Sequence, residues 1–187
     1  MSKRIILKHI LFIGFFIAIA ASIQSCTDAK IPPMPSDETE LITTLKVELT
    51  DTLTGQKLNY FFRDLDGEGG NAPSQWDTIK LADSSYYRVS LKFLNESNPN
   101  SIQNITLEIL AEQTNHIICF TSSVVNAVIS RTDTDGTYQV GINSTWKTGA
   151  ISSGNIEIKL KHQLGVKNGG CDPGETYVQV VFPAMIR

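Results

Sequence analysis

Short stretches in which apolar and polar residues alternate strictly constrain this chain more than any other feature. Val89, Leu91 and Phe93 interleave with Ser90, Lys92 and Leu94, and Ile156, Ile158 and Leu160 interleave with Glu157, Lys159 and Lys161. On a strand successive side chains point to opposite faces, so such a stretch presents one apolar face to a core and one polar face to water. Apolar runs of strand length recur at residues 45–49, 58–62, 86–94, 116–121, 124–130, 138–142, 156–160 and 177–182, separated by clusters of Gly, Asp, Asn and Ser. This spacing predicts an all-β fold, an immunoglobulin-like antiparallel β-sandwich with Greek-key connections. Asp133-Thr134-Asp135-Gly136 stands between two of these runs and predicts a hairpin, because Gly accepts a positive φ without steric cost. Gly149 and Gly154 bracket residues 150–153 in the same manner. Residues 104–113 are the one helical candidate: Asn104 is placed to cap, with Ile105, Ile109 and Glu112 at helical spacing. The triplet Ile105, Leu107 and Ile109 fits a strand as well, so both readings stay open.

Ahead of this domain the composition changes. Lys3, Arg4 and Lys8 precede an apolar run from Ile10 to Ala21, followed by Ile23-Gln24-Ser25-Cys26. The run is short of the ~20 residues a membrane span needs, and the basic start and small-residue exit match an export signal. Residues 1–25 read as a lipoprotein signal peptide and Cys26 as the lipidated residue; an unlipidated signal or an anchor helix is the alternative. Residues 26–40, rich in proline and charge, read as the lipidated Cys and a flexible tether, and residues 41–187 as one β-sandwich domain. Three of the 16 Lys and Arg lie in the signal, which leaves thirteen against 19 Asp and Glu, a formal charge of −6. An acidic chain without a basic cluster is repelled by nucleic acid and anionic headgroups, so contact with the membrane is expected through the lipid alone.

The chemistry-bearing residues are few. Cys119 and Cys171 remain after Cys26, in a compartment that permits disulfides; they are either bridged or, for Cys119 in its apolar run, a buried thiol. Asp64-Leu65-Asp66-Gly67 places carboxylates at alternate positions beside a glycine, a pattern suited to calcium, but the bidentate Glu of a full calcium loop is lacking. An acidic turn is the plain alternative. His116 and His162, the two histidines beyond the signal, are candidate ligands for zinc or copper if neighbouring strands bring them together, with Glu112 as a third donor. His116 and Cys119, three apart, point to opposite faces of a strand and cannot chelate together. No nucleophile elbow, H-E-x-x-H or phosphate loop is present, and a non-enzymatic role is expected.

Several segments together carry a resemblance: Glu40-Leu41-Ile42-Thr43-Thr44, Phe62-Arg63-Asp64-Leu65-Asp66-Gly67-Glu68-Gly69-Gly70, Asn115-His116-Ile117-Ile118-Cys119-Phe120 and Leu160-Lys161-His162-Gln163. With them the chain resembles a poorly characterised family of small Bacteroidota lipoproteins, often labelled as having a type 1 periplasmic-binding fold and found beside TonB-dependent receptors. The fold in that label needs repeated βαβ units over a longer chain, whereas hairpin-separated strands dominate here. The resemblance implies an outer-membrane lipoprotein, on the periplasmic face or the cell surface, acting as a binding accessory to a TonB-dependent receptor. Combined with the ligand-bearing residues, this makes handling of a metal ion or metal complex the expected role. Two rivals stay open, a structural or adhesive surface module and a small hydrolase with a Ser or Asp paired with a His in a deep pocket.

Overall fold

The computed structural model describes residues 41–187 apart from residue 68. The signal peptide, Cys26 and the tether lie outside the described residues. Within them, no helix is long and apolar enough to cross a membrane.

The chain runs β1 (Thr44–Asp51), β2 (Lys57–Arg63), β3 (Gln75–Trp76), β4 (Ile79–Leu81), β5 (Tyr86–Leu94), α1 (Thr106–Ala111), β6 (His116–Ser123), β7 (Ala127–Arg131), β8 (Asn143–Thr148), β9 (Ser152–His162) and β10 (Glu175–Ile186). They form a six-stranded sheet in the order β3-β2-β1-β5-β8-β7 and a four-stranded sheet in the order β4-β10-β9-β6. All pairings are antiparallel except that of β4 with β10. Within this arrangement β1-β5-β8-β7 follows the A-B-E-D order of an immunoglobulin sheet and β6-β9-β10 the C-F-G order of its partner, with the β2–β3 hairpin as an addition beyond β1. The fold is therefore an immunoglobulin-like β-sandwich with Greek-key connections and one short helix.

Alternation drives the packing. Val47 and Leu49 of β1, Val89, Leu91 and Phe93 of β5, Ile156, Ile158 and Leu160 of β9, and Val180 and Phe182 of β10 are buried between the sheets. Each such side chain contributes about 1.5–3 kcal/mol by leaving water. Trp146 of β8 is fully buried at the centre, edge-on to Phe120 at 6.2 Å, with its indole N–H donating to Ser144 Oγ at 3.0 Å.

Four expected features differ. Residues 138–142 form no strand, although Val140 and Ile142 are buried as the alternation requires. Val140 O accepts from Ile118 N of one sheet and Ile142 O accepts from Leu91 N of the other, so the segment crosses the sandwich and joins neither ladder. The expected hairpin at Asp133-Thr134-Asp135-Gly136 is accordingly a turn inside the β7–β8 crossing, with Asp135 Oδ1 accepting from the backbone of Thr137 and Tyr138. The run expected at 124–130 begins only at Ala127, since Val124 sits at φ 67°, a strained angle for a β-branched residue. The helix forms, but Ile105 is its N-terminal boundary and no side chain caps it; Asn104 contributes its backbone carbonyl to Leu107 N instead. Thr106 fixes the helix to β5, its Oγ1 accepting from Phe93 N at 2.8 Å and donating to Phe93 O at 3.2 Å.

Candidate metal centre

β6 and β9 are antiparallel neighbours in a register that sets His116 directly opposite His162. Opposed residues hold their Cβ atoms about 4.5–5.5 Å apart, so the two imidazoles must meet. Their ring centroids are 5.0 Å apart with the planes inclined at 36°. Both share the even-numbered, core-facing side of their strands with Ile118 and Leu160, at the end of the four-stranded sheet, and both are buried, 5% and 8% exposed.

The third donor arrives through α1. The helix ends beside β6, and a short return puts Glu112 next to His116: Asn115 N donates to Glu112 O at 2.8 Å, and His116 Nδ1 lies 3.1 Å from the same carbonyl. A carbonyl only accepts, so Nδ1 carries the proton and Nε2 is left with its lone pair. Metal-ligating histidines are commonly oriented by such a bond. The Glu112 carboxylate is exposed, and the ligand atoms of Glu112, His116 and His162 all lie within 4.8 Å of one another. Donors placed tetrahedrally on one zinc-sized ion, bonded at about 2.0–2.2 Å, stand about 3.3–3.6 Å apart, so closing the site takes a shift of up to about 1.3 Å.

Burial holds the pKa of His116 below the ordinary histidine value, and the neighbouring His162 lowers it further, while the Glu112 carbonyl and carboxylate act in the opposite direction. A neutral imidazole is the form that binds metal, so the site keeps His116 ready to ligate at a pH where an exposed histidine would begin to charge.

A β-bulge adds a fourth group. Along β10 the pairing steps from Thr176↔Lys161 to Val178↔Leu160, leaving Tyr177 as the extra residue. The bulge aims Tyr177 at the histidines: its hydroxyl is 2.8 Å from His162 Nδ1, and its ring centroid is 4.9 Å from that of His162 and 6.0 Å from that of His116.

The β9–β10 connection, residues 163–174, is cross-linked over this end of the sheet. Cys119 of β6 is disulfide-bonded to Cys171. Arg131 donates to Ile118 O at 2.7 Å and Gly169 O at 3.3 Å, with its guanidinium 3.0 Å from Cys171 Sγ. Lys167 Nζ donates to Gln113 O at 2.7 Å, in the turn that follows Glu112, and to Asp135 Oδ2 at 2.6 Å. Both side chains of that ion pair are buried, 4% and 3% exposed, and Lys167 with the backbone bonds lowers the Asp135 pKa to about 2. Gln163, wholly buried, donates from its amide to Gly170 O and Pro173 O.

The acidic loop is built differently. Asp66 Oδ2 accepts from Asn71 N at 2.9 Å and from Asn71 Nδ2 at 2.6 Å, which closes an Asx-type turn and depresses the Asp66 pKa. Asp64 is shifted upward by desolvation and by Asp66, and its Oδ1 is buried without a hydrogen bond. Among the described residues, Asp64 and Asp66 belong to no cluster of three close ligands.

Sequence reasoning paired His116, His162 and Glu112. It missed Tyr177, because a bulge leaves no mark in the apolar pattern, and Lys167, whose partners come from the remote segments at 113 and 135. Against known proteins, the chain matches no family model, no curated protein and no solved structure.

Proposed function

We propose that this chain is an outer-membrane lipoprotein, anchored through Cys26, that binds a transition-metal ion without catalysing a reaction and serves as an accessory to a TonB-dependent receptor. The observation that carries the metal reading is the convergence of Glu112, His116 and His162 within 4.8 Å at one end of a sheet. Two imidazoles and a carboxylate suit zinc, copper or iron better than calcium or magnesium, which prefer all-oxygen sets. The receptor and the outer membrane rest on the sequence resemblance and on the signal ending at Cys26. A surface adhesin is the second reading, favoured by Leu53, Val124 and Ile151, which are 93%, 85% and 75% exposed in turns at the end of the sandwich opposite the histidines.

Calorimetry with zinc and copper decides the metal question. Wild type should bind one ion per chain, and His116→Ala, His162→Ala should bind at least on the order of a hundredfold more weakly, at the upper range for loss of supporting groups. Circular dichroism should be unchanged. A wild type that binds neither metal, or a double variant that binds equally well, overturns the reading. Co-purification with a TonB-dependent receptor from solubilised outer membranes then separates accessory from adhesin.

A further inference from the structure

The geometry points to Tyr177 as a fourth ligand, which makes the centre an N2O2 site for ferric iron; this deepens the metal reading above and rests on it. Glu112, His116 and His162 supply one anionic and two neutral donors. The group nearest to His162 from the remaining strand is a phenol, whose oxygen lies 2.8 Å from Nδ1. Two donors at right angles on one ion, with bonds of about 2.0 Å, stand about 2.8 Å apart, so this separation is already that of adjacent ligands. A cation seated about 1.4 Å to one side of the line between the phenol oxygen and Nδ1 bonds both groups in place of their hydrogen bond, and the displaced phenolic proton passes to water. Nothing is oxidised or reduced in this step.

Tyr177 reaches the site because of the bulge in β10. In regular pairing no residue would stand between those opposite Lys161 and Leu160, and carrying the Val178 register back along the strand would turn Tyr177 to the outer face. The extra residue disrupts a ladder that is otherwise continuous from Val178 to Ile186. Bulges of this kind re-aim side chains beside functional sites.

The donor set selects the cargo. Carboxylate together with phenolate puts two negative charges on one ion, which rewards a trivalent cation more than a divalent one by Coulomb's law. Zinc is satisfied by three protein ligands and water and gains little from the phenol. Ferric iron has use for both oxygen anions.

A ferric phenolate absorbs visible light by charge transfer, whereas iron held by carboxylate and imidazole alone does not show that band. The test loads the chain with iron from ferric nitrilotriacetate and compares wild type with Tyr177→Phe, with zinc calorimetry alongside. The expected result is a visible band in wild type that Tyr177→Phe lacks, a ferric affinity roughly tenfold to a hundredfold weaker in the variant, and zinc binding retained by both. Ferric binding without the band, a band that survives in Tyr177→Phe, or zinc binding with no ferric binding each overturns the assignment of Tyr177 while leaving the three-ligand centre standing. If wild type takes up neither metal, the centre itself is wrong.

Discussion

The histidine cluster and the acidic loop both looked like metal sites in the sequence, and they use their donors in opposite ways. Asp64 and Asp66 are close in the chain, and the loop has turned inward: Asp66 is spent on the backbone and side chain of Asn71, and its neighbour is left desolvated. Glu112, His116 and His162 come from a helix end and two strands, and His116 Nδ1 donates to a carbonyl that orients its ring. A local motif has enough freedom to satisfy its own polar groups, because nothing else holds it open. Donors fixed by strand register lack that freedom, and their ligand atoms stay within 4.8 Å of one another. The difference extends to the surroundings, since the histidine end is cross-linked by a disulfide, an arginine and a buried ion pair.

Removing the cross-link tests this contrast most severely. The bridge closes a loop of 52 residues, so Cys119→Ser, Cys171→Ser should lose roughly 4 kcal/mol in denaturant unfolding. Zinc affinity should fall with it, because the 163–174 connection holds Gln113 through Lys167, while the acidic loop should be unaffected. Full metal affinity in a destabilised variant would show that register alone holds the donors.

Acid should separate the regions next. The pKa of His116 is lowered by folding, so the unfolded chain binds its proton more readily; the stability this histidine contributes is complete above about 6.5 and is lost as pH falls from there toward the folded value. Glu112, His162, Tyr177 and Lys167 face it. Urea melts of the metal-free chain at pH 7.5 and 5.5 should show a drop that His116→Gln reduces. The pKa of Asp135, also lowered, gives stability that persists until pH falls below about 3.8 toward about 2, well outside that window. A pH-independent midpoint across this range, or an undiminished drop in His116→Gln, would refute the assignment to His116.

The smallest effect belongs to the acidic loop. Asp66→Asn keeps an acceptor for Asn71 and should change stability by no more than about 0.5 kcal/mol. Millimolar calcium should leave the melting temperature of wild type and variant alike. A rise in wild type alone would restore the loop as a calcium site and erase the contrast.

Much of the sandwich was legible, because alternation reports burial wherever the buried side chains are apolar. Tyr86–Leu94 was readable to the residue. β8 was not, since the side chains it buries include Ser144 and Thr148 around Trp146, and polarity hides the period. Residues 138–142 misled for the opposite reason: two buried aliphatics imitate a strand while their carbonyls serve different sheets. Of the centre, the histidine pairing followed from two strands being neighbours, but its register did not, and Tyr177 depends on a bulge that only three-dimensional pairing reveals.

The chain's last residues have a mechanical consequence. Ala184–Ile186 lie parallel to Ile79–Leu81, Arg187 N donates to Leu81 O, and Asp83 N donates to Arg187 O. Parallel neighbours resist a pull on the C-terminus in shear, loading their hydrogen bonds together instead of opening them one by one. β10 rises about 3.4 Å per residue, so Ile186 stands roughly 37 Å from Glu175, which faces His162. A handle fused after Arg187 would therefore transmit force into the sandwich without peeling β10 away from the histidines.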